Sequence, residues 1–199
     1  MKKFMTLPKS NLDAEVYSLT HHSDGIEADI LYDASHPNHL LRIMEKKAFQ
    51  EYYPDQFNYC YGCGQLNEHG LQIKSYWDGD ETVCLFQPRP YHTAIPGYVY
   101  GGLIASLIDC HSTGSAAAAA YRAAGRAMDT EPALRFLTAS LHVDYMRPTP
   151  IDSPLEVRAH IKEIRGRKVV VVSTLSAHGV VCARGEVVAV QLPEHLLRL

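Results

Sequence analysis

Apolar and polar positions follow two periods along this chain, and the changes between them mark its elements. In PNHLLRIMEKKAFQEYYP, residues 37–54, Leu40, Leu41, Met44, Ala48 and Tyr52 recur near helical spacing between two prolines. That spacing predicts an amphipathic helix over about 37–53, bounded by Pro37 and Pro54. After a Gly-rich turn over 60–70, LQIKSYW and ETVCLFQP flank Asp78-Gly79-Asp80, an Asp-Gly hairpin signal. PYHTAIPG reads as a loop, and a helix is predicted from Tyr98–Gly102 to about Tyr121. Its apolar and small residues fall on more than one face, as in a helix enclosed by other structure. The last third alternates as strands: FLTASLHVDYMRP, SPLEVRAHIKEI, RKVVVVSTLSAHG and VVCARGEVVAVQLP, with Arg165-Gly166 as a hairpin tip. The order strand–strand–helix–four strands predicts an α+β domain with an antiparallel sheet.

Within FLTASLHVDY, strict alternation sets Leu137, Ala139, Leu141, Val143 and Tyr145 on one face, with Thr138, Ser140, His142 and Asp144 on the other. If the Leu141/Val143 face packs on the helix, Thr138 needs a bulge, or a site on the sheet's edge, to reach the chemistry.

Composition adds limits. The 199 residues are 46% apolar and 21% charged, with a net charge of −3, an ordinary globular profile that argues against a nucleic-acid surface. The N-terminus MKKFMTLPKS lacks the apolar run of a signal peptide, and no stretch reads as a membrane span. Five cysteines, an odd number, fit a reducing compartment, so a cytoplasmic, soluble protein is expected. Cys60 and Cys63 form a C-x-x-C pair, but no second pair follows at ligand spacing. The expectation is a Gly-rich turn carrying two thiols, with no metal.

One charge stands out. From Pro90 to Tyr121 there is no Lys, Arg or Glu, and Asp109 is the single formal charge. A carboxylate withdrawn from water without a partner costs several kcal/mol, so this position invites a chemical role. Poor solvation favours a raised pKa and a stronger base. Upstream, Gly101-Gly102 opens the helix, where unbonded amides point outward and glycine lets a ligand oxygen approach. Ser106 and His111 are not framed by a G-x-S-x-G elbow, and nothing around Cys110 suggests an activated thiol; both read as packing positions.

Four stretches together resemble the hotdog-fold acyl-CoA thioesterases of the PaaI-like and thioesterase-superfamily-member type: CYGCGQLNEHGLQI, PGYVYGGLIASLID, LTASLHVDYMRPTP and EIRGRKVVVVST. The resemblance covers about residues 57–193. It implies an antiparallel sheet wrapped around one central helix, preceded by an N-terminal extension over 1–56 and with the thioesterase domain over 57–199. It implies hydrolysis of an acyl-CoA thioester to free acid and CoA, with Asp109 as general base or nucleophile. Gly101 and Gly102 would polarise the carbonyl, and Thr138 would help place water. Ser112 and Thr113, one turn beyond Asp109, are rival water-positioners. The family's usual His before the glycine pair is Tyr100 here, expected at the substrate. Arg147, Arg165, Arg167 and Lys168 are candidate contacts for CoA phosphates. No cofactor is implied, CoA being part of the substrate, and the expected assembly is a homodimer or dimer of dimers.

Helical geometry sharpens this picture. Gly102 and Asp109 are separated by about 10 Å of helical rise, too far to flank one carbonyl carbon from a single chain, so a site completed between protomers follows. Two other readings remain open at this level: a hotdog hydratase or dehydratase pairing His92 with Asp109, and a non-catalytic acyl-CoA-binding module.

Overall fold

A computed structural model describes residues 37–193 and 195, together with two short paired strands, β1 (Tyr17–Ser18) and β2 (Asp29–Ile30). Of the expected N-terminal extension over 1–56, the rest of 1–36 lies outside the described residues. Then follow α1 (Pro37–Met44), β3 (Tyr76–Asp78), β4 (Glu81–Phe86), β5 (Thr93–Ile95), β6 (Tyr98–Val99) and α2 (Gly101–Ala123). The last four strands are β7 (Phe136–Tyr145), β8 (Leu155–Arg165), β9 (Lys168–Ala177) and β10 (Val180–Gln191).

Six of these strands form one antiparallel sheet in the order β3-β4-β8-β9-β10-β7. The sheet packs around α2, which touches β7, β8, β9, β10 and β4. Near the helix start, Leu103, Leu107 and Ile108 are buried with Val157, Leu175 and Val187. Further along, Ala116 and Ala117 meet Ala159, Val169, Val171 and Ala189. Small side chains on the helix let the strands close around it. Gly185 makes the same approach possible from the sheet, since a Cβ there would collide with Ile108.

The other face of β3 and β4 holds the N-terminal helix. Leu40, Ile43 and Ala48 cluster with Tyr76 and Val83, while Thr82 and Cys84 alternate toward α2. Helix α1 ends at Met44, well short of the predicted 53. Tertiary partners compete for the backbone beyond it: Phe49 N–H bonds Ser75 O at 2.9 Å, and the buried Gln50 side chain accepts the Ser75 N–H at 2.8 Å. Phe49–Tyr52 therefore becomes a separate 3-10 turn, its Ala48 amide bonded by Glu51.

His111 is fully buried, and hydroxyl groups surround it. Nδ1 lies 2.9 Å from Ser75 Oγ and Nε2 lies 3.2 Å from Thr82 Oγ1. Gln50 already donates to Ser75 Oγ, and Ser115 Oγ donates to the His111 carbonyl. Donor counting then lets Ser75 donate to Nδ1, leaves Nε2–H to donate to Thr82, and lets Thr82 donate to Ser115 Oγ at 2.6 Å. Each hydroxyl proton in this hydrogen-bonded series around His111 has an acceptor when the imidazole is neutral. Burial lowers the His111 pKa to about 4.

Candidate active site

The site depends on an irregularity in β7. Val188 opposes Ser140, whereas the next residue, Ala189, opposes Thr138, so Ala139 is an extra residue in the strand. The bulge reverses the alternation predicted for the first part of the strand. Thr138 shares a side with Ala189, and Leu141 with Val187; both partners pack toward α2. Thr138 therefore faces the helix, as Leu141 and Val143 do.

There Thr138 Oγ1 donates a short hydrogen bond to Asp109 Oδ1. Among the described residues Oδ2 has no hydrogen-bond partner. Burial raises the Asp109 pKa, the Thr138 bond pulls it down, and the nearby Cys60 adds to the rise. The carboxylate is half-buried and Thr138 is exposed, so the pair lies at the rim of the core. The rim belongs to an unpaired edge: among the described strands only β10 pairs with β7. Along that edge Leu137, Leu141 and Tyr145 are exposed.

At the other end of β7, Tyr145 Oη donates to Gly101 O at 2.9 Å, fastening the start of α2 to the end of the strand. Tyr100 precedes the helix with extended backbone and no side-chain cap, which leaves the first-turn amides of the glycine pair without that partner. Its ring lies over Gly102, where a Cβ would come within 2.5 Å of it.

Other candidates separate by position. Thr113 Oγ1 bonds the carbonyls of Asp109 and Cys110 at 3.1 and 3.2 Å, so its hydroxyl is taken by its own helix. Ser112 is fully buried, and its hydroxyl has no partner among the described residues. Arg165, Arg167 and Lys168 lie at the β8–β9 tip, beside the Phe136 end of β7, because Gln191 pairs with Phe136 and Arg167 donates to Gln191 O. Lys168 is paired with Glu163 at 3.2 Å. Arg147 follows the Tyr145 end, about 30 Å away along a ten-residue strand. One chain does not bring these four cations together.

Two rival arrangements are also separated. His92 Nδ1 accepts the Arg89 N–H at 3.0 Å, and its ring packs on Phe86 and Tyr91, so it serves its own turn. Ser106 Oγ donates to Gly102 O at 2.8 Å, while His111 belongs to the buried hydroxyl chain, so no Ser–His pair forms.

The sequence pattern of the thioesterase superfamily matches residues 96–177, the span from the turn before β6 through β9. A solved thioesterase superfamily protein from Shewanella loihica PV-4 is 50% identical, covering 71% of this chain and all of that one, with a TM-score of 0.54. This chain belongs to the thioesterase superfamily. Its hotdog architecture is shared with the E. coli PaaI protein at 14% identity and a TM-score of 0.51, a likeness of fold alone. Among curated superfamily relatives, the acyl-coenzyme A thioesterase THEM4 of Xenopus laevis is 38% identical over 96 residues. The match spans 48% of this chain and only 37% of that protein's length.

Proposed function

We propose that this chain hydrolyses acyl-CoA thioesters, with Asp109 as general base at a site completed by a second copy of the chain. The observation that carries the reading is the Asp109–Thr138 hydrogen bond at the open β7 edge. Thr138 holds one carboxylate oxygen, and the other is left for a water molecule. Asp109 takes a proton from that water as its oxygen attacks the thioester carbonyl. The oxyanion formed is met by amide N–H groups of a Gly101-Gly102 turn. Collapse breaks the C–S bond; the CoA thiolate takes up a proton, and the products are the free acid and CoA.

Strand geometry supports the second copy. Gly101 is fastened to the Tyr145 end of β7 and Asp109 to the Thr138 end. Antiparallel pairing of two β7 edges sets the glycine turn of one protomer beside Asp109 of the other, which the roughly 10 Å helical separation within one chain does not allow. The same operation brings the partner's Arg147 to the end where Arg165 lies. These two arginines form no ion pair among the described residues and are suited to CoA phosphates. A homodimer, or a dimer of dimers built from it, satisfies the edge and buries Leu137, Leu141 and Tyr145.

The test is thiol release from short-chain, long-chain and aryl-CoA esters by wild type, Asp109→Asn and Thr138→Val. Turnover should fall roughly 10²–10⁴-fold in folded Asp109→Asn, and by less in Thr138→Val. Tight ester binding by wild type without thiol release would replace this reading with a binding module.

A further inference from the structure

The C-x-x-C turn has a third cysteine that sequence spacing does not show. Cys110, on α2 beside Asp109, meets Cys60 with their sulfurs 3.8 Å apart, and the sulfurs of Cys60, Cys63 and Cys110 all lie within 4.8 Å of one another. All three are free thiols. Cys63 and Cys110 are each 6% exposed, while Cys60 opens to solvent.

The surrounding backbone is built for this convergence. A Cβ on Gly62 would collide with the Cys110 sulfur, so glycine there admits the helix cysteine to the turn. A Cβ on Gly64 would lie 2.5 Å from Asn58 O and Cys60 N. Gly64 N–H bonds Cys60 O at 2.8 Å. Asn58 Oδ1 holds the Gln65 amide, and Leu71 and Ile73 bond back to Tyr61 and Gly62. The turn is fixed at both ends.

We propose that Cys60, Cys63 and Cys110 bind one zinc ion as three thiolates, with water in the fourth position on the solvent side of Cys60. Zinc–sulfur bonds of about 2.3 Å at tetrahedral angles set sulfurs roughly 3.8 Å apart, the separation already present between Cys60 and Cys110. The remaining sulfurs have at most about an ångström to contract. Thiol protons pass to solvent as the thiolates form. A disulfide would use two of these sulfurs and leave the third unexplained. The site's effect is mechanical: it clamps the 58–73 turn to α2 at the residue next to Asp109. It stands apart from the thioesterase reading and does not depend on turnover.

The test uses reduced full-length chain, stripped of metal by a chelator and handled without oxygen. Titration with Co²⁺ should give one equivalent of a thiolate-to-cobalt charge-transfer band, displaced by one equivalent of Zn²⁺. The band should be lost in Cys60→Ser, whose exposed position leaves folding intact, and in Cys110→Ser, and be kept in Cys182→Ala, which lies outside the cluster. Zinc should raise the melting temperature of wild type and not of Cys60→Ser. No band in reduced wild type, or an undiminished band in Cys60→Ser, overturns the proposal. So does a Cys60–Cys110 disulfide formed under mild peroxide by protein that takes up no zinc when reduced.

Discussion

Acidification should destabilise this protein chiefly through the imidazole of His111. His111 has its pKa lowered to about 4 by burial, against an ordinary 6.5. Between those values the unfolded chain binds a proton that the native chain refuses, so stability is fully present above about pH 6.5 and declines as pH falls toward 4. At about 1.4 kcal/mol per pH unit, the gap corresponds to roughly 3 kcal/mol. The structure supplies the cause, since protonating Nδ1 would turn a donor against the hydroxyl proton of Ser75, with no acceptor to replace it. Burial, with Arg89 nearby, also lowers the His92 pKa, and burial raises that of Asp109, which acts in the opposite sense, so wild type alone mixes several contributions. Burial pushes Asp78 up, but Arg158 and His39 outweigh it; Lys162 holds Glu186 low. Those carboxylates lose their contribution only at more acid pH. The measurement is urea unfolding of wild type and His111→Gln from about pH 7 to about pH 4.5. Wild type should lose roughly 2–3 kcal/mol more than the variant across that range. Parallel curves, or a His111 resonance titrating near 6.5 in the native protein, would refute the reasoning.

Further outcomes follow from packing and edges. Gly185→Ala should cost about 1–3 kcal/mol through its collision with Ile108. The double variant with Ile108→Ala should be more stable than the two single costs added, measured by denaturant titration. Gln50→Leu leaves the buried Ser75 amide without its acceptor and should cost about 1–3 kcal/mol in the same assay. Leu141→Glu on the exposed β7 edge should convert the proposed dimer to monomer in light scattering and remove the proposed thioesterase activity, while the monomer keeps its far-ultraviolet dichroism.

Much of this was legible in the residues. Alternation and the Asp-Gly and Arg-Gly signals marked the strands because the two faces of a strand meet different surroundings: α2 on one side and, on the other, water or, for β3 and β4, the N-terminal helix. Asp109 stood out because the buried part of α2, up to Tyr121, excludes other charges. The family likeness rested on four stretches that the fold does bring around one helix. What the sequence concealed depends on contacts between distant segments. Ala139 is apolar and fits an unbroken strand; only its register against β10 shows that it is extra, and that register turns Thr138 to Asp109. The end of α1 was misplaced because Gln50 and Phe49 answer to Ser75, 25 residues away for Gln50. Cys110 lies 50 residues from Cys60, so no spacing rule joins it to the C-x-x-C pair.

The order of strands in the sheet also has a consequence during synthesis. Strand β7 leaves the ribosome ahead of β8 and β9, yet its neighbour is β10, at residues 180–191. Strands β8 to β10 can close as successive hairpins, but until the last of them is made β7 has neither edge covered, and Leu137 and Leu141 remain in view. The strand that carries Thr138 is thus the part of the sheet that waits longest for a partner. A nascent chain halted before residue 180 should bind a holdase chaperone, and release should coincide with the emergence of β10.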